Sequence, residues 1–316
     1  MRPVARAAGC SGLPGRMSCG PGGPPPGLVI ITCVSAPESG SIHEMPLVTA
    51  MLPSFSKTVS KDELQALGGP TCLYLCAHDS DNELMKHVRE IRRLSLVRSL
   101  DIGVRLFFYS PTNKVMSGGS AILSPFRETA VQAYADGAKY LHHAFDDVVY
   151  TRAGWMRNAV RRLHKSTPNG IGVFFPPVSV ANTPSAAART GGRGGFPSFV
   201  SRRHLEIFAE YAPYGLSDHA VSTWLAESYA AIVGPAVVAY NHSLPRRRAH
   251  GRQALIECGQ NAVARWLSGV QPQPLLADCS KVGAAYPPAY PPWPGDRGVP
   301  LISSLDPTTG RVTNGN

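Results

Sequence analysis

Two adjacent carboxylates, Asp146 and Asp147, follow the short apolar run KYLHHAF at residues 139–145 and precede the extended VVY at 148–150. Carboxylates at the end of a buried strand are costly to leave unpaired. A hard divalent cation such as Mg2+ or Mn2+ removes that cost, because it takes oxygen ligands and bridges to substrate phosphates. Pairing with one of the chain's many arginines, or exposure to water, removes it as well, and a bare Asp-Asp does not choose between these. A second acidic group, Asp79 and Asp81 in HDSDN (78–82), follows another apolar run. An acidic residue after the second strand of a nucleotide-binding sheet reads a ribose or base edge. The same HDSDN is also a helix cap ahead of residues 83–94.

These residues need elements that bring them to one edge. Residues 28–34 (LVIITCV) are continuously apolar and β-branched, the pattern of a buried parallel strand. Residues 71–77, 104–109 and 170–175 read the same way, with a last strand at 237–240. Helices are expected at 61–67, 83–94, 126–135, 152–164, 205–211 and 253–269, and in part of 42–55, where Pro46 and Pro53 limit them. Gly137 ends the third of these by taking the left-handed conformation, and Thr151 is the expected N-cap of the fourth. Strands alternating with helices predict an α/β fold: one mixed, mostly parallel sheet flanked by helices. Open sheets of this kind bind ligands beyond the carboxyl ends of their strands, where both acidic groups fall. Neither GxGxxG nor a P-loop pattern occurs, so a Rossmann dinucleotide site and an ordinary P-loop NTPase are not supported.

The chain has 316 residues, 43% hydrophobic and 16% charged, which suits one domain with tails. Residues 1–26 (Gly/Pro-rich) and 271–316 (Pro-rich) lack a core pattern and are expected to be disordered or extended, leaving 27–270 as the domain. A net charge of +10 favours anionic partners such as nucleotides. No basic run is interleaved with stacking aromatics, so a nucleic-acid groove is not expected. No apolar segment of about 20 residues appears, so no transmembrane span is expected. No continuous apolar h-region opens the chain, and a soluble protein is expected. The seven cysteines match no zinc spacing. Cys72 and Cys76, four apart on one strand face, are expected as buried small apolar residues. The small-residue stretch NTPSAAARTGGRGGFP (182–197) is a loop that serves either as a lid or as a plain insertion.

A helix, then DGAKYLHHAFDDVVYTRAGW (136–155), then NGIGVFFPP (169–177), resembles the catalytic core of GT-A-fold glycosyltransferases. PSFVSRRHLEIF (197–208) and YGLSDHAVSTWLAESY (214–229) are similar to the acceptor half of the same family. The resemblance covers residues 28–242 and implies a GT-A-like, Rossmann-related domain. It implies transfer of a sugar from a nucleoside-diphosphate sugar to an acceptor hydroxyl on a glycan, protein or lipid, assisted by Mn2+ or Mg2+. In that family an acidic motif after a strand holds a metal against the donor diphosphate. Here this implies Asp146 and Asp147 as metal ligands, Asp146 also at the nucleotide sugar, and His242 completing the metal shell. Arg246, the first of three arginines, is implied at the diphosphate, and Glu38, Asp79 and Asp81 at the nucleotide. Asp218 is implied as the base that deprotonates the acceptor if configuration inverts; Leu216-Ser217-Asp218 is equally a helix cap. The motif here is Asp-Asp-Val rather than a strict Asp-x-Asp. Two other readings stand beside this one. One is a catalytically degenerate GT-A-like binding domain. The other is a nucleotidyltransferase on a similar sheet, which needs a basic Gly-rich loop after the first strand, whereas residues 35–40 carry no basic residue. Eukaryotic members are often Golgi type II membrane proteins, which implies a Golgi or ER lumenal location for a member lacking its anchor.

Overall fold

A computed structural model describes residue 19 and residues 22–36, 40–78, 81–109, 119–166, 170–180, 197–208, 211–213, 216, 218–233 and 250–269. The apolar runs form β1 (Leu28–Cys33), β2 (Thr71–His78), β3 (Ile102–Tyr109) and β4 (Tyr140–His143). Further along are β5 (Val148–Tyr150), β6 (Val173–Phe174), β7 (Val178–Val180) and β8 (Ser198–Ser201). Six of these make one sheet in the order β3-β2-β1-β4-β8-β6, while β5 and β7 pair as a separate antiparallel ribbon. The first four strands run parallel, and β8 runs antiparallel to both β4 and β6. The sheet is therefore mixed and mostly parallel, as the strand–helix alternation implied.

Strand β8 is where the sequence reading missed an element. Residues 198–201 are SFVS, four residues with serine at both ends and all buried. Both faces are covered, so no alternation exposes the strand. The expected strand at 170–175 contributes only Val173–Phe174 to the sheet. The expected strand at 237–240 lies outside the described residues.

Side chains alternate across the sheet, and each face has its own helix layer. Val29, Ile31, Tyr74, Leu141 and Val200 point to one face. That face packs against α5 (Gly119–Ala135), α7 (Arg203–Phe208), α8 (Asp218–Val233) and α9 (His250–Leu267). Leu28, Ile30, Leu73, Leu75 and Phe199 point to the other. It packs against α1 (Leu52–Thr58), α3 (Asn82–Arg93), α4 (Ser95–Ser99) and α6 (Trp155–Ser166), with the short α2 (Lys61–Gln65) alongside. Local chemistry sets several boundaries. Ser60 and Glu63 close a reciprocal capping box on α2. A π-helical turn, Leu47–Met51, runs without a break into α1, and Pro53 sits just past their junction. Gly137, at φ 86°, ends α5 in the left-handed region.

The expected cap at Thr151 is corrected. Helix α6 begins at Trp155, and the Thr151 amide and hydroxyl both donate to the Pro177 carbonyl, at 3.0 and 3.1 Å. Burial of Trp155 sets the helix start, and Thr151 instead ties β5 to the approach of β7. Cys72 is also corrected. It forms a disulfide with Cys19, so part of the Gly/Pro-rich N-terminal segment is stapled to β2. Gly103 on the neighbouring strand makes room, because a Cβ there would lie 2.3 Å from the Cys19 sulfur. Cys76 is a free buried thiol, as expected.

Candidate functional site

The chain leaves β1 and returns through β2 and β3 on one side, then comes back beside β1 as β4. The β1–β2 and β2–β3 connections lie in the α1/α3 layer, whereas α5, which leads into β4, lies in the opposite layer. Connections that part in this way make the carboxyl ends of β1 and β4 the switch point of the sheet, the place where open α/β sheets take ligands.

Asp146 and Asp147 occupy the turn at that edge. The Ala144 amide donates to the Ile31 carbonyl at 3.0 Å, continuing the β4–β1 ladder by one step. The Val148 amide then reaches back to the Phe145 carbonyl at 3.5 Å, with the two aspartates as the central residues of the turn. Both are half-buried. Burial, together with the neighbouring Asp147 charge, pushes the Asp146 carboxyl up to about 6. Burial likewise raises Asp147 above the usual carboxylate range. Among the described residues no Lys, Arg or His forms an ion pair with either. The pair therefore stays together without the guanidinium partner that would have made it structural.

The turn is braced from below by groups the sequence reading passed over. His142 lies on the same sheet face as Tyr140 and Phe199 and is fully buried. Its Nδ1–H donates to the Ser198 carbonyl at 3.0 Å, and its Nε2 accepts from the Tyr150 hydroxyl at 2.6 Å; this tautomer follows from the partners. The Tyr150 ring stacks on Trp155 with centroids 5.2 Å apart and planes 4° apart, and Phe55 packs edge-on to both. One hydrogen bond thus joins the two strands on either side of the acidic turn. Burial pushes the His142 imidazole down to about 4, so it is neutral near pH 7. The sequence signal was available: a histidine inside a buried run must find hydrogen-bond partners.

Tyr150→Phe removes the donor and leaves His142 Nε2 unsatisfied in the core. The expected loss is about 1–3 kcal/mol of unfolding free energy, read as a lower urea midpoint. An unchanged midpoint would mean that this bond does not hold the turn.

His143, on the opposite face of β4, packs 3.9 Å from Phe126 between ring centroids, and its Nδ1 has no hydrogen-bond partner. Burial pushes it down to about 3.

The other expected site residues divide clearly. Asp81 stands at the same sheet edge, after β2. Its Oδ1 accepts from the Leu84 amide at 3.1 Å, capping α3, and its Oδ2 accepts from the Ala36 amide at 2.7 Å. It therefore ties the loop after β1 to the start of α3. Asp218 is the first residue of α8, in the layer that covers the opposite face. Glu38, Asp79, His242 and Arg246 lie outside the described residues. Among the described residues, no cluster of three or more His, Cys, Asp or Glu could hold a metal ion, so the acidic pair supplies at most a partial ligand set. Among the described residues no helix is long and apolar enough to cross a membrane.

No protein-family model matches the chain, and no curated protein matches it in sequence. Among solved structures it is similar to glucosyl-3-phosphoglycerate synthase from Mycobacterium tuberculosis in complex with phosphoglyceric acid. That likeness has 14% identity and a TM-score of 0.35, and covers 76% of this chain and 78% of the other. It is also similar to a cytidylyltransferase from Leptospira borgpetersenii, at 10% identity and a TM-score of 0.36 over 79% and 98% of the two chains. A third likeness is to mouse xyloside xylosyltransferase 1 in its apo form, at 12% identity and a TM-score of 0.31 over 64% and 74%.

Proposed function

We propose that this protein is a glycosyltransferase that takes a nucleoside-diphosphate sugar and passes the sugar to an acceptor hydroxyl. The observation that carries the reading is the half-buried Asp146–Asp147 pair, free of a cationic partner among the described residues, on the turn after β4 at the switch point beside β1. Two adjacent carboxylates fit a hard divalent cation. Mg2+ is commonly held by one or two carboxylates, with substrate phosphates and water filling the remaining positions. Asp146 and Asp147 would hold Mn2+ or Mg2+, and such an ion, when bound, neutralises charge on a leaving diphosphate. His242 and Arg246 are the proposed additional contacts to metal and diphosphate, as the GT-A resemblance implies. Glu38, Asp79 and Asp81 are the proposed nucleotide contacts. For Asp81 this is contact through the Ala36 loop that it anchors, since both carboxylate oxygens already accept backbone amides. Asp218 is the proposed base for the acceptor hydroxyl.

Calorimetry of the full chain with UDP and with GDP, each with and without Mn2+, tests this reading. Metal-dependent binding of one nucleotide is expected, with at least a tenfold loss in Asp146→Asn/Asp147→Asn. Binding that ignores the metal, or survives the double substitution, would remove the acidic pair from the site. No binding of either nucleotide would favour a degenerate binding domain.

A further inference from the structure

The two helix layers carry very different charge. In the α3/α4/α6 layer, Arg89 and Arg93 on α3, Arg98 on α4, and Arg157, Arg161 and Lys165 on α6 are all exposed. Helix α6, WMRNAVRRLHKS, contains no acidic residue. Arg157 approaches the buried Glu63 at 3.8 Å, yet its side chain stays 76% exposed. Arg161 holds Asn158, a neutral partner. In the opposite layer the four arginines of α5, α7 and α9 are outnumbered by five carboxylates, Asp218 and Glu227 of α8 among them.

The cations are also widely spread. Helices α3 and α4 pack on β3 at one edge of the sheet, and α6 packs against β6 at the other. Five strand spacings separate those edges, about 24 Å. A cation field of that breadth matches a plane better than a groove that tracks a single strand. Its composition points the same way. The exposed large apolar residues among those described are Val131 on α5 and Leu267 on α9, both in the other layer. The basic face thus has no wedge to insert into acyl chains and no exposed aromatic ring among its described residues on which bases could stack.

We propose that this basic face rests against an anionic phospholipid bilayer by electrostatics alone, as a reversible surface contact. The inference stands apart from the sugar-transfer reading, because it uses none of that site's residues. Each basic side chain near an anionic leaflet is worth about fivefold in partitioning, so three are worth about a hundredfold. The attraction falls off with added salt.

Co-sedimentation of the full chain with vesicles of phosphatidylcholine alone, or mixed with phosphatidylserine, tests it. Binding only to the anionic vesicles and release by salt are expected. Arg157→Gln/Arg161→Gln/Lys165→Gln should lower partitioning about a hundredfold. The same change at Arg203 and Arg265, exposed in the opposite layer, should leave it unchanged. A parallel variant, Arg89→Gln/Arg93→Gln/Arg98→Gln, reads the same face should the α6 variant fail to fold. Equal binding to neutral vesicles, retention of binding by both face variants, or loss only with the Arg203/Arg265 variant would overturn the proposal. So would tight binding to heparin with no vesicle binding, which would assign the face to a soluble polyanion. Nucleotide calorimetry on the face variants should match wild type, so failure of this proposal is distinguishable from failure of the catalytic reading.

Discussion

Replacing Asp136 with Ala is expected to lower the unfolding free energy by about 3–5 kcal/mol, because it strands a buried guanidinium. Asp136 follows α5, and its Oδ2 accepts from Arg105 on β3 and, at 2.6 Å, from the Tyr74 hydroxyl on β2. Its Oδ1 accepts from Gln132 at 2.9 Å. The Arg105 side chain is only 4% exposed and lies over the rings of Tyr74 and Phe107, 5.0 and 4.8 Å from their centroids. Burial and the bond to Asp136 push the Tyr74 phenol above its usual range, so it stays a neutral donor. With the carboxylate gone, Arg105 keeps its charge and loses its counter-ion. The double variant Arg105→Met/Asp136→Ala should therefore recover most of the loss, since no buried charge remains. Urea midpoints of the two variants decide the matter. A double variant as unstable as the single one would mean that packing, not the stranded charge, carries the effect.

Acid should unfold this protein through its buried histidines. Burial pushes His142 and His204 down to about 4 and His143 to about 3. His204 is held neutral between the Tyr229 hydroxyl, 2.7 Å from Nδ1, and the Tyr211 carbonyl, 2.9 Å from Nε2. In the unfolded chain each imidazole titrates near 6.5. The folded value is the lower one, so the unfolded state binds more protons below that pH. The stabilisation is fully present above about pH 6.5 and is lost as pH falls towards about 4. Three such groups give a slope of up to about 4 kcal/mol per pH unit in that window. Asp146 and Asp147, raised in the fold, act in the opposite direction and flatten the slope. Stability from urea unfolding between pH 7.5 and 4.5, read as a midpoint at each pH, should fall steeply below about pH 6.5. His143→Phe keeps an aromatic ring against Phe126 and removes one titrating group, so its slope should be shallower. A pH-independent midpoint across this window would show that the histidines are solvated in the native state.

Much of the frame was legible because it depends on composition over short windows. The runs at 28–34 and 71–77 are almost wholly apolar, so burial on both faces was readable without knowing the neighbours. Gly137 marked a helix end through local backbone chemistry alone. The acidic pair at the end of β4 was likewise legible, since the strand and the two aspartates are contiguous.

What the linear chain could not display was pairing across distance. β8 escaped because SFVS acquires its identity only between β4 and β6. Cys72 read as a small apolar residue because its partner, Cys19, lies 53 residues earlier in a segment without core pattern. His142 and Tyr150 sit eight residues apart, a spacing that means nothing until a turn folds one strand back beside the other. Asp81 divides its carboxylate between its own helix and a loop 45 residues away, and only the second of those bonds needed the tertiary structure. The sequence by itself determined which segments must be buried and where the acidic turn falls, because those follow from local hydrophobicity and backbone preference. The tertiary structure alone decided which edge that turn shares with the loop after β1, and which buried groups hold it there. Those contacts form between residues that only the sheet order makes neighbours.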